Sequence, residues 1–406
     1  MPPSLLKGKR MFNKALQKIF QKGPVFWINL FGFWSNALYF YLGVVLPLYM
    51  SANGASLTEI GIMFSITQLA FLVVRLHFAA YSDARGPGAI LLGSAALAVA
   101  EPAAYAISIS QWSVGIGKIF SGISQSGYWA VNRSILYRRS KDGPAKSSSR
   151  MQIFMSYGEA AGRLLGGTVL QLTGFVSALW AAAAASMLYL VPALAIMKHE
   201  KVEKPQRVDW KRAMSFLNLG KYPAHTQELV KWQLVGMFAD ILMFTFLLPL
   251  YLASVGFTFL EIGGILALFA IVSGFASAAI LRLGLLDERH RKMTLWVSCA
   301  SLVFSAAFFF AGVGKFHASL AIMLLAIADG ARRIVWEENL ALSVKTTGLF
   351  DTDPNMAIAV FGVPITVAGF VTLLVAGTLA DVLGYAGVLS IAIAANIAFL
   401  AKSKAV

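Results

Sequence analysis

The sequence predicts an all-α integral membrane protein with twelve transmembrane helices in two pseudo-symmetric six-helix bundles. Three observations lead to this fold class: apolar runs along the whole chain, basic loops on one side of the membrane, and a repeat of the first half in the second. The 406 residues are 58% hydrophobic and 13% charged, with a mean hydropathy of +0.70. A soluble domain carries about 25% charged residues, so this composition is typical of a chain that contacts lipid over most of its length.

Twelve apolar runs define the predicted helices. Each is long enough to cross about 30 Å of hydrocarbon as a helix, and lipid offers the backbone polar groups no other partner. The predicted spans are 25–50, 57–80, 88–107, 112–135, 149–170, 174–197, 229–252, 259–281, 293–313, 318–341, 356–379 and 384–401. They divide the chain into a basic amphipathic tail (1–24), an N-terminal bundle (25–197), a middle loop (198–228), a C-terminal bundle (229–401) and a short tail (402–406).

Basic residues are concentrated on one side of the predicted membrane. They lie before the first span, after the fourth span and in the middle loop, whereas the opposite loops hold only Lys315. By the positive-inside rule, both termini and the middle loop are cytoplasmic, which predicts a multi-pass protein of the cytoplasmic (inner) membrane. We therefore assign the net charge of +15 to topology and to contact with anionic membrane lipids, and not to nucleic acid. Residues 10–21 predict an amphipathic helix that lies on the inner leaflet.

The two halves of the chain share a repeated segment. Residues 46–61 read LPLYMSANGASLTEIG, and residues 248–263 read LPLYLASVGFTFLEIG. Further matches, such as Trp129 with Trp336, extend the correspondence. Duplicated halves that pack around an axis normal to the membrane leave a seam that can be reached from either side. Glu59 and Glu261 fall in the first turn of the following helix, where a carboxylate stabilises the positive end of the helix dipole. A role in an outer gate is the alternative.

Two loop motifs carry a resemblance to a known family. The loop after the second span reads AAYSDARGPG, and that after the eighth reads LGLLDERHRK. With the twelve spans and the 6+6 repeat, they resemble the major facilitator superfamily of transporters over nearly the whole chain. Each copy departs from the family motif, since Ala79 replaces its first glycine and His290 its second. The resemblance implies alternating access, with Asp83 and Asp287 in the gate on the cytoplasmic side.

Other residues are interpreted with the help of this resemblance. Arg75 is assigned to the same gate, with contact to the solute as the alternative. The stretch GEAAGRLLGG, residues 158–167, is similar to the family's glycine-rich antiporter motif, with Arg163 in place of proline. Its glycines predict close contact with another helix. In the family, spans one, four, five, seven and ten line the cavity.

Ionisable residues inside the spans indicate a functional site, because each is costly in lipid. Glu159 and Arg163 lie one turn apart, and at 100° per residue Asp329, Arg332, Arg333 and Glu337 share a face of about 140° on the tenth span. Guanidinium groups suit carboxylates and phosphates, so the solute is predicted to be an anionic or zwitterionic organic molecule. Structural ion pairs are the alternative for both groups. The predicted solute contacts are Asn36, Gln125, Arg163, Arg332, Arg333 and Trp336.

Asp240 is the first candidate for proton coupling, and Glu159 is the second. Asp240 lies about 15 Å into the seventh span, and its repeat partner is the neutral Asn36. Since its own span has no basic residue within one turn, its charge must be met across the seam or removed by protonation. A structural hydrogen bond and direct contact with the solute are the alternatives.

Several function classes are disfavoured. The sequence shows no metal-ligand cluster, no glycine loop for phosphate and no nucleophile–base set, so neither metal, cofactor nor enzyme activity is predicted. The predicted function is proton-coupled secondary transport of a small solute by a monomer. An exporter of amphiphilic, drug-like or lipid-like compounds is one alternative. A transporter-shaped receptor or scaffold is another.

Overall fold

The computed structural model describes residues 23–139 except 109, 144–200, isolated positions between 207 and 222, 223–285 except 245, 288–311, 314–345 and 353–402. All regular structure in these ranges is helical, and each predicted span corresponds to one helical segment. The segments are α1 Pro24–Ala52, α2 Leu57–Arg85, α3 Gly88–Ile107, α4 Gln111–Arg139, α5 Pro144–Thr173, α6 Phe175–His199 with a 3-10 turn at Met187–Tyr189, α7 Ala224–Phe244 continued as Leu247–Ser254, α8 Phe259–Arg282, α9 Glu288–Ala311, α10 Lys315–Lys345, α11 354–383 and α12 385–402. The predicted helix at 10–21 and Asp287 lie outside the described residues.

The helices differ in how apolar they are. Within the described residues, eight helical stretches are long and apolar enough to cross a membrane, and the last, Asn355–Lys402, contains both α11 and α12. These two meet at Gly384, whose φ of 69° breaks the helix. The other three segments, α4, α5 and α10, have the length of a span but carry more ionisable residues. Among the described residues, the same three helices carry most of the buried charged side chains.

The glycine stripe of α5 packs against α1. A Cβ atom on Gly158 would lie 2.1 Å from the carbonyl oxygen of Phe33, and one on Gly162 would lie 2.0 Å from that of Ala37. Any side chain at these positions would therefore push the two helices apart. The contact pairs advance in the same direction along both helices, so α1 and α5 are parallel. The close helix contact predicted from these glycines is confirmed.

Both copies of the repeated segment lie at the same end of the molecule. Phe175, at the start of α6, lies between Tyr49 and Phe259, with ring centroids 5.2 Å and 5.6 Å apart. We call this end, which contains residues 46–61 and 248–263, the repeat end. We call the opposite end, where Arg138 and Arg139 complete α4, the basic end.

The predicted capping role of the two repeated glutamates is confirmed. Ser56 and Glu59 form a capping box at the start of α2, and Thr258 and Glu261 form another at the start of α8. In each box the glutamate accepts a hydrogen bond from the backbone N–H of the N-cap residue, at 2.8 Å and 2.7 Å. The repeat thus preserves the signal that begins the second helix of each half.

The two halves meet along α2 with α11 and along α5 with α8. At the repeat end these pairs touch through their backbones. A Cβ atom on Gly377 of α11 would lie 2.0 Å from the carbonyl oxygen of Leu57, and one on Gly263 of α8 would lie 2.6 Å from that of Arg163. The repeat end of the seam is therefore closed by direct helix-to-helix packing.

Candidate functional site

A cavity of about 270 Å³ lies on the seam between the two halves. It is lined by α1, α2, α4 and α5 on one side and by α7, α10 and α11 on the other. The family resemblance implied five of these helices, and α2 and α11 complete the lining. The polar and charged residues that line it are Asn36, Thr67, Gln68, Arg75, Gln125, Arg133, Gln152, Asp240, Arg332, Arg333 and Thr366, and the aromatic ones are Tyr39, Phe40, Phe71, Trp129 and Trp336.

A chain of alternating charges runs beside the cavity, and we call it the ion ladder. It joins, in order, Arg163, Glu159, Arg333, Asp329, Arg332 and Asp240, with successive nitrogen–oxygen distances of 2.7, 2.8, 2.6, 2.6 and 2.6 Å. Three guanidinium groups face three carboxylates, so the formal charges of the ladder cancel. It crosses the seam once, between Glu159 of α5 and Arg333 of α10. A single ion pair therefore links the charges of the two halves here.

The two arginines of α10 are already matched by carboxylates. Arg332 contacts Asp329 and Asp240, while Arg333 contacts Asp329 and Glu159. The hydroxyl of Ser273 also donates to Asp329, at 2.6 Å. Both arginines line the cavity as predicted, but their positive charges are balanced within the protein. Their contact with a solute remains a prediction.

Arg163 and Glu159 do not line the cavity. The Arg163 side chain is 2% exposed, and its guanidinium lies 4.5 Å from the ring centroid of Phe40 and 5.6 Å from that of Phe269. The contact of Arg163 Nη2 with Glu159 Oε1 is 2.7 Å long but lacks hydrogen-bond geometry, so it is chiefly electrostatic. The pair is thus packed between helices of both halves, with α1 on one side and α8 on the other.

Asp240 finds its counter-charge within its own half. Its Oδ1 atom lies 2.6 Å from Nη2 of Arg332 on α10. The expectation that the partner lies across the seam, or that the group is protonated for want of one, is therefore wrong. The physical reason for the difference is that α7 and α10 are neighbours in one bundle. The spacing of residues within α7 alone does not reveal this. The Asp240 side chain is 33% exposed, and it lines the cavity.

A second buried ion pair crosses the seam nearer the basic end. Arg133 of α4 donates to Glu337 of α10 through Nε, at 3.0 Å, and through Nη2. Gln152 of α5 donates to the same carboxylate at 2.6 Å. Arg133 and Glu337 are 4% and 0% exposed, respectively. Glu337, which shares a face with the ladder residues on α10, therefore belongs to a separate pair.

Asp83 links the halves at the basic end. Its carboxylate accepts hydrogen bonds from the backbone N–H groups of Asn355 and Met356, at 3.1 Å and 2.9 Å, and from the side chain of Asn355 at 2.7 Å. It thereby caps the start of α11 from another helix, where a negative charge is favourable. The hydroxyl of Ser134 on α4 also donates to Asn355. These contacts support the gating role of Asp83, which stays a prediction.

Arg75 is placed differently from the other arginines of the cavity. It is 7% exposed, its Nη1 donates to Thr366 at a long 3.4 Å, and its guanidinium lies 4.9 Å from the Phe71 ring. Among the described residues, no aspartate or glutamate lies within 4 Å of it. Asp83 is on the same helix, but its contacts are with Asn355 and Met356. Arg75 is one of the residues that line the cavity, and its role in the gate remains a prediction.

The three uncharged solute contacts predicted from the sequence all line the cavity. Asn36 donates to the carbonyl oxygen of Met155 at 3.1 Å, and Gln125 accepts from Ser35 at 3.4 Å. Trp336 stands with its ring 6.4 Å from that of Phe399. The structure brings them together with Arg332 and Arg333, whereas Asp287 lies outside the described residues.

Sequence reasoning missed one buried acid. Glu101 of α3 is 5% exposed and accepts a hydrogen bond from Tyr105 at 3.1 Å. Lys118 of α4, also 5% exposed, places its Nζ 3.5 Å from the centroid of the Phe64 ring. The signal was available, because Glu101 is the one charged residue in the predicted span 88–107.

Twelve helices in two similar halves around a charged cavity define a polytopic membrane protein with the architecture of a transporter. The family model described as Major Facilitator Superfamily matches residues 23–332, and the chain belongs to this family. A search of curated proteins finds none that matches the sequence.

Solved structures share this fold at low sequence identity. The human organic anion transporter MFSD10 (TETRAN) superposes with a TM-score of 0.64 and 15% identity, over 94% of this chain and 100% of that one. The nucleoside transporter NupG superposes with a TM-score of 0.70 and 11% identity, over 94% of this chain and 99% of that one. The resemblance expected from the loop motifs and the repeat is confirmed.

Proposed function

We propose that this protein is a secondary transporter that moves a small anionic or zwitterionic organic solute by alternating access, driven by protons. The observation that carries the proposal is the central cavity, which both halves line and which has contacts between the halves at each end. Glycine packing joins the halves at the repeat end, and the contacts of Asp83 and Arg133 join them at the basic end. Separation of one set at a time exposes the cavity to one side only.

Coupling to protons is proposed because the charges of the ion ladder are balanced, so that a single added proton changes its net charge. A proton on Asp240 leaves the ladder with one excess positive charge beside the cavity. That charge raises the affinity of the cavity for an anionic solute, and linkage makes the effect reciprocal. Proton and anion then bind together, so a proton gradient drives accumulation of the solute. Asp240 is favoured over Glu159 because its side chain lines the cavity.

The orientation in the membrane is proposed from charge. The loops that connect helices at the basic end are rich in lysine and arginine. We therefore place the basic end in the cytoplasm and the protein in the inner membrane. The partners of the proposed cycle are the solute and protons, with anionic lipids at the basic loops. We propose a monomer, since the two halves of one chain line the cavity together.

Transport in liposomes tests the proposal. Purified protein is reconstituted, a pH gradient with an alkaline interior is imposed, and uptake of labelled organic anions, nucleosides and an amphiphilic dye is measured. The expected result is uptake of one organic anion that the gradient stimulates and a protonophore abolishes, with protein-free liposomes as the control. Protein-dependent uptake of the dye alone would indicate a transporter of amphiphilic compounds, which is the exporter alternative. Absence of any uptake would indicate a receptor or scaffold.

A further inference from the structure

We propose that Arg75 is the residue that recognises the solute, and that the solute is an organic anion with one net negative charge, such as a monocarboxylate. The inference rests on the proposed function and narrows its substrate class. It moves the anion contact from Arg332 and Arg333, predicted from the sequence, to an arginine predicted to act in the gate.

The charges around the cavity carry the first step. Four arginines line it, and three of them are matched by carboxylates: Arg332 and Arg333 in the ion ladder, and Arg133 by Glu337. Arg75 has no such partner among the described residues, which leaves one positive charge in excess while Asp240 is ionised. An unpaired buried charge is strongly unfavourable, and a bound anion would remove that cost.

The hydrogen-bond donors of Arg75 carry the second step. Its Nε has no hydrogen-bond partner in the described structure, and the contact with Thr366 is long. An arginine has five N–H donors in a planar fork, and this fork matches the two oxygens of a carboxylate. The side chain thus has the donors that a bidentate contact requires.

The packing of Arg75 fixes where the anion binds. Its guanidinium lies directly on Gly362 of α11, where an added Cβ would be 2.0 Å from Nη2. It is therefore held between α2 and α11 beside the cavity. Trp129 and Trp336 line the same cavity and offer aromatic surface to the organic part of the solute.

Thermal stability of the purified protein tests the inference, because a ligand that binds the folded state raises its melting temperature. The probes are benzoate, the neutral benzamide, the cationic benzylamine and the dianion phthalate. Wild-type protein should be stabilised best by benzoate. Arg75→Gln should weaken benzoate binding about tenfold or more, as expected for a lost charge-assisted contact. The benzoate affinity of Arg75→Lys, which keeps the charge but not the planar fork of donors, should lie between those of wild type and Arg75→Gln.

A matched variant separates recognition by Arg75 from general charge. Lys118→Gln also removes one buried positive charge, but its side chain is outside the cavity lining. It should change benzoate binding less than threefold, since it does not alter the Arg75 contact.

The inference is overturned if Arg75→Gln binds benzoate as tightly as wild type does, or if wild type binds benzamide as well as benzoate. Should Arg75→Gln fail to fold, wild-type affinity in Arg75→Lys would overturn it equally. Proton-driven uptake of a nucleoside that Arg75→Gln leaves unchanged would remove the anion site but leave proton-coupled transport standing. Benzoate binding that depends on Arg75, without proton-driven uptake, would support the anion site but remove proton-coupled transport.

Discussion

At the scale of the residue, position within the ion ladder determines what each charge does. Asp240 is the terminal member, and its loss leaves Arg332 still paired with Asp329. Glu159 is internal and fully buried, and it contacts both Arg163 and Arg333. The Asp240 carboxylate is thus placed where a proton can reach it from the cavity, whereas the Glu159 carboxylate contacts one arginine of its own half and one across the seam.

Substitution of Asp240 by asparagine should separate coupling from transport. We expect Asp240→Asn to abolish accumulation driven by a pH gradient, because its side chain cannot gain or lose the coupling proton. Exchange of solute for solute should continue, since exchange needs no net proton movement. Both rates are measured in the same liposomes. If the variant still concentrates the solute under a gradient, Asp240 is not the coupling site, and Glu159 becomes the candidate.

Substitution of Glu159 by glutamine should mainly affect stability. Breaking a buried ion pair from one side costs about 3–5 kcal/mol, and here two arginines lose a partner. We expect a clearly larger loss of unfolding free energy for Glu159→Gln than for Asp240→Asn, whose carboxylate is partly exposed. Denaturant titration in detergent measures both. Equal losses of unfolding free energy would show that the position of a carboxylate within the ladder does not determine its contribution to stability.

Part of this site could be predicted from local spacing. Helical periodicity places Asp329, Arg332 and Arg333 on one face of α10, and they do contact one another. The same periodicity adds Glu337, but its partner Arg133 lies 204 residues away in the chain. Such a partner depends on how the two halves pack, and a single helix carries no information about that.

At the scale of the element, the seam is built differently at its two ends. At the repeat end, α8 and α11 approach the other half through glycines, with backbone against backbone. At the basic end, α10 and α11 are held by side-chain carboxylates and their donors. The repeat end is therefore sensitive to the size of a side chain, and the basic end to its charge.

A methyl group at the repeat end should open that end. Gly263→Ala places a Cβ 2.6 Å from the carbonyl oxygen of Arg163, so α5 and α8 must separate. We expect faster labelling of a cysteine at Gln68 by a membrane-impermeant thiol reagent added from the repeat-end side. Cys299, the one native cysteine, is replaced by serine in this background.

The neighbouring glycine provides the control for this experiment. A Cβ on Gly264 meets nothing within 4 Å, so Gly264→Ala should label like the parent protein. Equal labelling of the two alanine variants would argue against the proposed closure of the repeat end by glycine packing.

The start of each second helix was predictable because a capping box needs only four successive residues. Ser56 with Glu59, and Thr258 with Glu261, are therefore readable in the sequence. The polar character of α4, α5 and α10 could also be read, but the neighbours that neutralise their charges could not.

At the scale of the whole molecule, α2 and α11 form one long contact with a carboxylate link at each end. Asp83 caps α11 at the basic end. At the repeat end, Thr58 donates to Asp381 through its hydroxyl, at 2.7 Å, and through its backbone N–H, at 3.1 Å. The two links stabilise closure at opposite ends of the same helix pair.

Removal of the Asp83 carboxylate and removal of the Asp381 carboxylate should open the molecule at opposite ends. We expect Asp83→Ala to increase labelling of the Gln68 cysteine from the basic end, because the link to α11 at that end is lost. Asp381→Ala should increase labelling from the repeat end. The two variants are matched, since each removes one carboxylate from the same interface. The proposed gate is wrong if both variants change labelling from the same side.

The overall fold could be predicted because duplication leaves a signal that single residues do not. The two copies of the repeated segment predicted two similar halves, and the structure places both at one end. The cavity between the halves follows from that arrangement. The pairing of charges inside it, including the exception of Arg75, depends on three-dimensional packing of seven helices.

The ion ladder also has a consequence for biosynthesis. A charged side chain at the centre of a helix opposes entry into the bilayer by about 2.5–3.5 kcal/mol, and α10 carries several. The helices that hold Glu159 and Asp240 emerge from the ribosome before α10 does. The counter-charges for Arg332 and Arg333 are thus in the membrane when those arginines leave the translocon. The helices inserted earlier, α5 of the first half and α7 of the second, can in this way act as a template for the insertion of α10.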